Sequence, residues 1–336
     1  MTGTARVAAL FLVAVHVIVV LAGFLAPYDP ATQNRRLPFA PPARLHFVDE
    51  QGGFHSRPFV YALVDAPDRA LGYQEEKSRA FPVRLFVEGA PYRVAGVFTA
   101  RTHLFGVDEP GRLFLLGSDG LGRDQLSRLL HGGQISLFAG LLAAALSLGL
   151  GSALGMLAGF HGRWVDAVIM RLAELFMALP WLYLLLAVRA FLPLHMPPAQ
   201  TFLLLVSVIG VVDWARPARL ARGIALSVRE RDFVRAARSF GAGSLYLIRR
   251  HIAPETASVV LTQAALLVPQ YVLAEVTLSF FGLGVAEPAA SWGNMLGALQ
   301  QYHVLVSYWW MWIPGVVLVP VFMAYHALAD GLRARA

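Results

Sequence analysis

Ten histidines, a single lysine and a thin scatter of carboxylates are the side chains that could do acid, base or metal chemistry, and cysteine is absent. Without cysteine there is no thiolate nucleophile, no thiolate metal site and no disulfide. The histidines show no HExxH pairing or other close ligand spacing, and no G-x-S-x-G occurs. A phosphate loop of the G-x-x-x-x-G-K-[ST] type needs a lysine on the β- and γ-phosphates. The one lysine, Lys77, sits in QEEKSR without the glycine or the hydroxyl. The chain is therefore expected to carry no catalytic residue, no metal site and no ATPase site or cofactor of its own. A proton relay would need ionisable groups inside a membrane, and Glu174, Asp213 and Glu275 are the candidates. Asp213 and Glu275 fall near the ends of predicted spans, where interfacial water or an arginine partner explains them more simply.

The distinctive segment is RDFVRAARSFGAGSLYLIRRHIAPE, Arg231 to Glu255, basic and broken by glycine. Phe233, Ala236, Ala237 and Phe240 recur at helical spacing as one apolar stripe, with Arg231, Arg235 and Arg238 on the other faces. Gly241 is placed to stop this helix in a left-handed cap, and Ser244 to cap a second one. That second helix carries Leu245, Ile248 and Ile252 on one side, and Pro254 is expected to keep it short. The pattern predicts two short rods at a fixed elbow, which could couple a partner's motion to the rest of the chain.

The elements around this segment are membrane spans. The chain has 336 residues, 57% apolar and 15% charged, with a mean hydropathy of +0.57, which marks a polytopic membrane protein. Six apolar segments approach the roughly 17 to 25 residues a bilayer core requires: about Val7 to Leu25, Ile135 to Ala158, Val168 to Phe191, Thr201 to Trp214, Ser258 to Leu278 and Leu305 to Tyr325. The first is read as an uncleaved anchor, being too long for a signal peptide and lacking a clear cleavage site. If six spans alternate, Arg6, Arg163, the segment 216–250 and Arg333 with Arg335 share one side. The positive-inside rule makes that side the cytoplasm and places both termini there. The net charge of +7 includes nine arginines between Arg216 and Arg250, and is read as inside-loop charge rather than as a nucleic-acid footprint.

Between the first two spans lies an outer segment, Ala26 to Gly133, whose 13 basic and 12 acidic residues nearly cancel. Strands are predicted at about Leu45 to Val48, Pro82 to Val87, Tyr92 to Phe98 and Arg112 to Leu116, with a hairpin turn at Glu88, Gly89, Ala90 and Pro91. Tyr28 to Arg44 reads as an extended linker. Within the spans, Gly151, Gly155 and Gly159 clear one helix face for close packing, a reading preferred to a gate. Pro180 is expected to kink the third span, either lining a path or shaping the bundle.

Four stretches together resemble the C-type permease subunits of ABC importers for dipeptides, oligopeptides and nickel. They are LGSDGLGRDQLSRLLHGGQISLFAGL (Leu116 to Leu141), the Trp214 to Glu255 segment, EVTLSFFGLGVAEPAASWGNML (Glu275 to Leu296) and WWMWIPGVVLVPVFMAYHALADGLR (Trp309 to Arg333). The resemblance covers about two thirds of the chain. It implies an all-α polytopic fold of six transmembrane helices with a small β-rich extracytoplasmic insertion. The expected divisions are an N-terminal transmembrane helix (1–30), the insertion (31–115) and a permease domain (116–336) holding the cytoplasmic EAA coupling loop (215–256). In the family that loop docks on the ATPase, a role carried onto Ala236, Ala237, Gly241 and Pro254. Arg235 stands where the motif has glutamate, and Ala253 where it has leucine.

The resemblance further implies a multi-pass protein of the bacterial inner membrane, embedded in lipid, that does not bind nucleic acid. Its expected partners are two ABC ATPases that bind the ATP, a homologous B-type permease and an extracytoplasmic solute-binding protein. Transport would proceed by alternating access, with the insertion as a cap contacting the binding protein. Competing readings are an ion-coupled secondary transporter, which would need midplane ionisable groups and an internal repeat, and a membrane sensor with an outer ligand-binding domain. No side chain selects among peptide, nickel and other cargo.

Overall fold

A computed structural model describes residues 3–66, 72–94, 98–191 and 197–334. The chain divides into two compact units. One comprises Met1–Leu12, Leu137–Leu278 and Val319–Ala336, the other Val13–Ser136 and Ser279–Leu318. In chain order the helices are α1 (Gly3–Val20), α2 (Ala22–Leu25), α3 (Gln125–His161), α4 (Arg163–Ala178), α5 (Trp181–Ala190), α6 (Pro198–Val212), α7 (Ala215–Arg229), α8 (Asp232–Ser239) and α9 (Ser244–Leu247). After a π-helical turn, Ile248–Ile252, come α10 (Ala253–Phe280), α11 (Trp292–Gly297), α12 (Tyr302–Ser307) and α13 (Ile313–Arg333). The strands are β1 (His46–Val48), β2 (Phe54–Asp65), β3 (Tyr73–Pro82), β4 (Arg84–Val94) and β5 (Phe98–Gly106).

Among the described residues four helices are long and apolar enough to cross a membrane: Gly3–Val20, Gln125–His161, Ser244–Phe280 and Trp309–Arg333. A fifth arises if Gln200–Val212 and Ala215–Arg229, bent by 42°, form one broken span. The first, second, fifth and sixth expected spans correspond to these four. The other two do not form continuous helices of spanning length. The segment Val168 to Phe191 is cut at Pro180, where Leu179 adopts extended backbone (φ −75°, ψ 126°), the conformation that proline imposes on the residue before it. Pro180 thus separates two helices of 16 and 10 residues rather than kinking one. The fourth ends at Val212 and continues only through the bend into α7, which carries Arg216, Arg219, Arg222 and Arg229.

In the first unit α3 meets α7 along the glycine stripe. A Cβ at Gly151 would lie 2.5 Å from the Trp214 carbonyl oxygen, one at Gly155 2.2 Å from that of Ala218, and one at Gly159 2.6 Å from that of Arg222. Ala218, Ala221 and Ala225 are among the buried residues on the facing helix, so small side chains on both sides bring the backbones together. Arg222 ties α7 to Asp166 of α4, with Nη2 2.6 Å from Oδ2.

The second unit holds a three-stranded antiparallel sheet, β1-β2-β3, and a two-stranded one, β4-β5. Neither β2 nor β3 shows the alternation that marks a half-buried strand: β3 reads YQEEKSRAFP and is largely exposed, and β2 buries Phe59, Val60 and Tyr61 in succession. The expected turn at Glu88 to Pro91 lies inside β4, at a shift in its register with β5. Gly89 serves close approach there, since a Cβ would meet the His103 ring at 2.6 Å. Val94 pairs with Phe98, and residues 95–97, within the expected strand Tyr92 to Phe98, lie outside the described residues. Arg112 to Leu116 is irregular, held by the Tyr28 hydroxyl accepting from Leu113 N–H (2.8 Å) and by Ala43 N–H donating to the Phe114 carbonyl (2.7 Å). The supposed linker is likewise anchored: Ala40 is fully buried and Phe39 stacks on Tyr308 at 4.2 Å.

Candidate functional site

The segment between α7 and α10 is an elbow with one face built into the core. α8 begins after extended Arg231 and ends in a Schellman motif, in which Ala242 N–H bonds the Ala237 carbonyl and Gly241 N–H that of Arg238, at 3.1 and 3.0 Å. This geometry needs a residue at positive φ, and Gly241 supplies +82°. Val234 from α8, Leu247 from α9 and Ile248 with Ile252 from the π-turn are buried with Phe160 of α3 and with Ala225 and Val228 of α7. Each fully buried side chain of this kind stabilises the fold by about 1.5 to 3 kcal/mol, so the elbow is held against the ends of two helices. Arg238 caps the cluster over the Phe160 ring at 5.2 Å, and Arg231 clasps Glu255 at 3.2 Å.

The outward surface of the elbow mixes large apolar side chains with Arg235, Arg238, Arg249 and Arg250. Phe240 is 92% exposed, and Phe233, Leu245 and Tyr246 are also exposed. Arg235, Ala236, Gly241, Ser244 and Pro254 are exposed on the same elbow, Ala237 is half-buried, and Ile252 lies in the core beneath it. Three expectations about local structure are corrected. Gly243, not Ser244, is the N-cap of α9, and no side chain bonds there. Pro254 does not end the second rod. Helix runs on from Ser244 to Phe280, because the π-turn just before Pro254 absorbs the hydrogen bond that proline cannot donate. Leu245 also parts from Ile248 and Ile252, pointing outward while Leu247 takes its place inside.

A second cluster, in the unit containing the strands, was not singled out from the sequence. Asp119 receives the backbone N–H of Leu121 and Arg123 and the Arg123 Nε at 2.7 Å. The two terminal nitrogens of the Arg123 guanidinium, Nη1 and Nη2, donate to Glu287, and Arg128 donates to the same carboxylate at 3.0 Å. Arg128 is 1% exposed and Arg123 7%, so these charges are held by pairing in a low-dielectric setting. Burial together with the Glu287 and Asp119 carboxylates accompanies an Arg123 pKa pushed above the ordinary arginine value, the carboxylates outweighing desolvation. The cluster borders a cavity of about 410 Å³ that also reaches Gln125 and Met311. Neighbouring Asp124 is fully enclosed, and burial raises its pKa from 3.8 to about 7 against the hydrogen bonds from Ser127. The signal available in the sequence was the density of charge in SDGLGRDQLSR.

The intramembrane candidates are dispersed. Glu174 is exposed and paired with Arg171 at 2.9 Å, whereas Asp213 accepts from the Tyr271 hydroxyl at 2.8 Å with Arg216 at 3.6 Å. Glu275 is fully buried, so of the two expected explanations, interfacial water or an arginine partner, interfacial water does not apply. Among the described residues no group of three histidines and carboxylates is arranged to hold a metal.

Several apolar helices and a rigid elbow with an uncovered apolar face define a membrane component built to work with other subunits. The chain belongs to the family of binding-protein-dependent transport system inner membrane components, whose family model matches residues 151–336. It is 39% identical over 218 residues to a peptide permease protein of Brucella ovis, covering 65% of this chain and 70% of that one. It is 36% identical over 247 residues to a peptide transport system permease of Brucella suis, covering 73% and 80%. Against the "Probable D,D-dipeptide transport system permease protein DdpC" of Escherichia coli it is 35% identical over 224 residues, 67% and 73% of the two chains. A solved structure of the MetNI methionine ABC transporter, in an inward-facing conformation, aligns with TM-score 0.44 at 17% identity, over 62% of this chain and 96% of that one.

Proposed function

We propose that this chain is a permease subunit of an ATP-driven importer for peptides and that the α8–α9 elbow is the surface on which a partner ATPase docks. The observation that carries the reading is the two-faced elbow: Val234, Leu247, Ile248 and Ile252 lock one face to α3 and α7, while Phe233, Phe240, Leu245 and Tyr246 stay uncovered on the other. A partner filling that apolar face would move the elbow, and the packed inner face would carry the displacement into the spans as a rigid body. The peptide cargo is taken from what the Brucella and Escherichia coli relatives are described as transporting.

In this reading ATP is bound by two partner ATPases, a homologous B-type permease completes the path, and a solute-binding protein delivers cargo from outside. The pair of permeases alternates between inward and outward opening as the ATPases close and separate. Six crossings result if α4 with α5, and α6 with its bend, each traverse the bilayer as broken helices. Both termini and the arginine-rich elbow then lie in the cytoplasm of a bacterial inner membrane.

The test is uptake of a labelled dipeptide into proteoliposomes holding the permeases, the ATPases and the binding protein. Phe240→Glu is expected to leave the thermal stability of the permease unchanged, because Phe240 touches almost nothing. Loss of an aromatic anchor of about 2 kcal/mol corresponds to about thirtyfold weaker ATPase association. Undiminished ATPase binding and uptake in that variant, or uptake that persists without the ATPases, would overturn the assignment.

A further inference from the structure

We propose that the β4–β5 hairpin is seated in the lipid interface at the Leu25 end of the first span, with Leu85 and Phe86 resting among phospholipid glycerol and acyl groups. The argument begins on the helix. Val13, Val17, Ile18, Val20 and Leu21 are exposed along the second half of α1 and just past it, the side chains that lipid covers in a span. α2 extends this face by one turn, and the Phe24 ring lies 6.3 Å from that of Phe86. The uncovered apolar surface of the span therefore continues onto the hairpin without a polar gap. Leu85 and Phe86, adjacent in sequence, are 67% and 65% exposed, an arrangement that water alone does not favour.

The hairpin is held in this position rather than merely passing near it. The Tyr92 ring packs so closely over Gly23 that a Cβ there would fall 2.2 Å from it, and a His103 ring nitrogen lies 2.6 Å from the Ala26 carbonyl oxygen. Phe86 also has φ +56°, a left-handed conformation that a bulky side chain adopts only when its surroundings impose it. The imposed conformation keeps an aromatic ring at the edge of the span. Beside it, a groove of about 580 Å³ is lined by Pro27, Tyr28, Leu85 and Phe86, and its polar margin is ion-paired, Arg84 with Asp108 at 2.8 Å and Arg112 with Glu109 at 3.2 Å, with Asp29 and Glu88 nearby. An exposed aromatic and aliphatic edge above an ion-paired polar margin suits a bilayer boundary, where aromatic rings sit at the headgroup level. The whole hairpin precedes residue 151, where the family match begins.

The absence of cysteine makes single-site labelling direct. Leu85→Cys and Phe86→Cys, each carrying a nitroxide, would be placed in the assembled transporter in nanodiscs of phosphatidylethanolamine and phosphatidylglycerol. Relaxation by oxygen, which partitions into lipid, is then compared with relaxation by a water-soluble nickel chelate. The expected oxygen-to-nickel ratio at both positions approaches that of a label at Val20 and exceeds several-fold that of a label at Gln51, in the exposed turn between β1 and β2. A nickel-dominated response at both positions would place the hairpin in water and overturn the proposal. Protection from both reagents would place it against another protein subunit and overturn it equally. Leu85→Cys leaves the backbone conformation of Phe86 undisturbed, so the two labels are independent readings.

Discussion

The two ends of α3 are fastened by opposite chemistry. Near its first turn Arg123 and Arg128 are gathered by Asp119 and Glu287, with Asp124 enclosed beside them. Toward its last turn Phe160 sits in an apolar cluster with Val234, Leu247 and Ile252. The difference teaches what each end can do. A buried ion network tolerates few geometries, because any loosening leaves charge unpaired in low dielectric. An apolar cluster holds no buried charge to strand, and its close packing makes the elbow and the helix ends of α3 and α7 move together as one body. The end that would receive a partner's motion is thus the one whose packing passes displacement on.

Three measurements would break or sharpen this contrast. The largest effect is expected from Arg128→Met, which removes one partner of a buried network and leaves Glu287 and Asp119 with a single arginine. The expected cost is about 3 to 5 kcal/mol, read as a fall in the thermal midpoint of the purified permease. A change within experimental error would show that the network adds nothing to stability. Next comes Ile252→Ala in the apolar end, expected to cost about 2 to 4 kcal/mol through lost burial and a residual cavity. Distance measurements across α8 and α9 should at the same time show a broader distribution, and an unchanged distribution would contradict the view that this cluster holds the elbow.

The third effect, whose size depends on pH, is expected from Asp124→Asn. Because the folded pKa is raised to about 7 from an ordinary 3.8, the folded protein keeps a proton that the unfolded chain releases above about pH 4. Stability is therefore fully present below that pH and declines as pH rises toward 7. The neutral amide should flatten the decline, making the variant the more stable form at pH 8 with little difference at pH 4. A parallel pH profile for the two proteins would exclude Asp124 as its source.

The parts of the elbow legible in sequence were those that depend on near neighbours. Gly241 was readable as a left-handed cap because the Schellman motif spans six residues and admits few alternatives to glycine. Ser244 misled because a hydroxyl at a helix start is only a preference, and Gly243 took the cap with backbone alone. Pro254 misled for a related reason: a π-turn re-satisfies the backbone, and the helix continues. Phe233 and Phe240 were recognised as one stripe, but the inward residue of the same helix, Val234, was not, since which face is buried depends on α3 and α7.

By itself the sequence determined the elements whose cause is periodic or compositional: four long apolar helices, the glycine stripe on α3, the glycine elbow, and the lack of any phosphate loop or cysteine chemistry. Tertiary structure alone decided the rest. Arg123 and Arg128 meet Glu287 from 164 and 159 residues away, and no local propensity encodes that encounter. β3 is a strand because β2 pairs with it, and Glu88 to Pro91 is strand rather than turn because β5 lies alongside. The division follows from the range of the forces. Helix periodicity and caps act within a few residues, whereas ion pairs, strand register and the choice of buried face are settled only when distant segments compete for the same contacts.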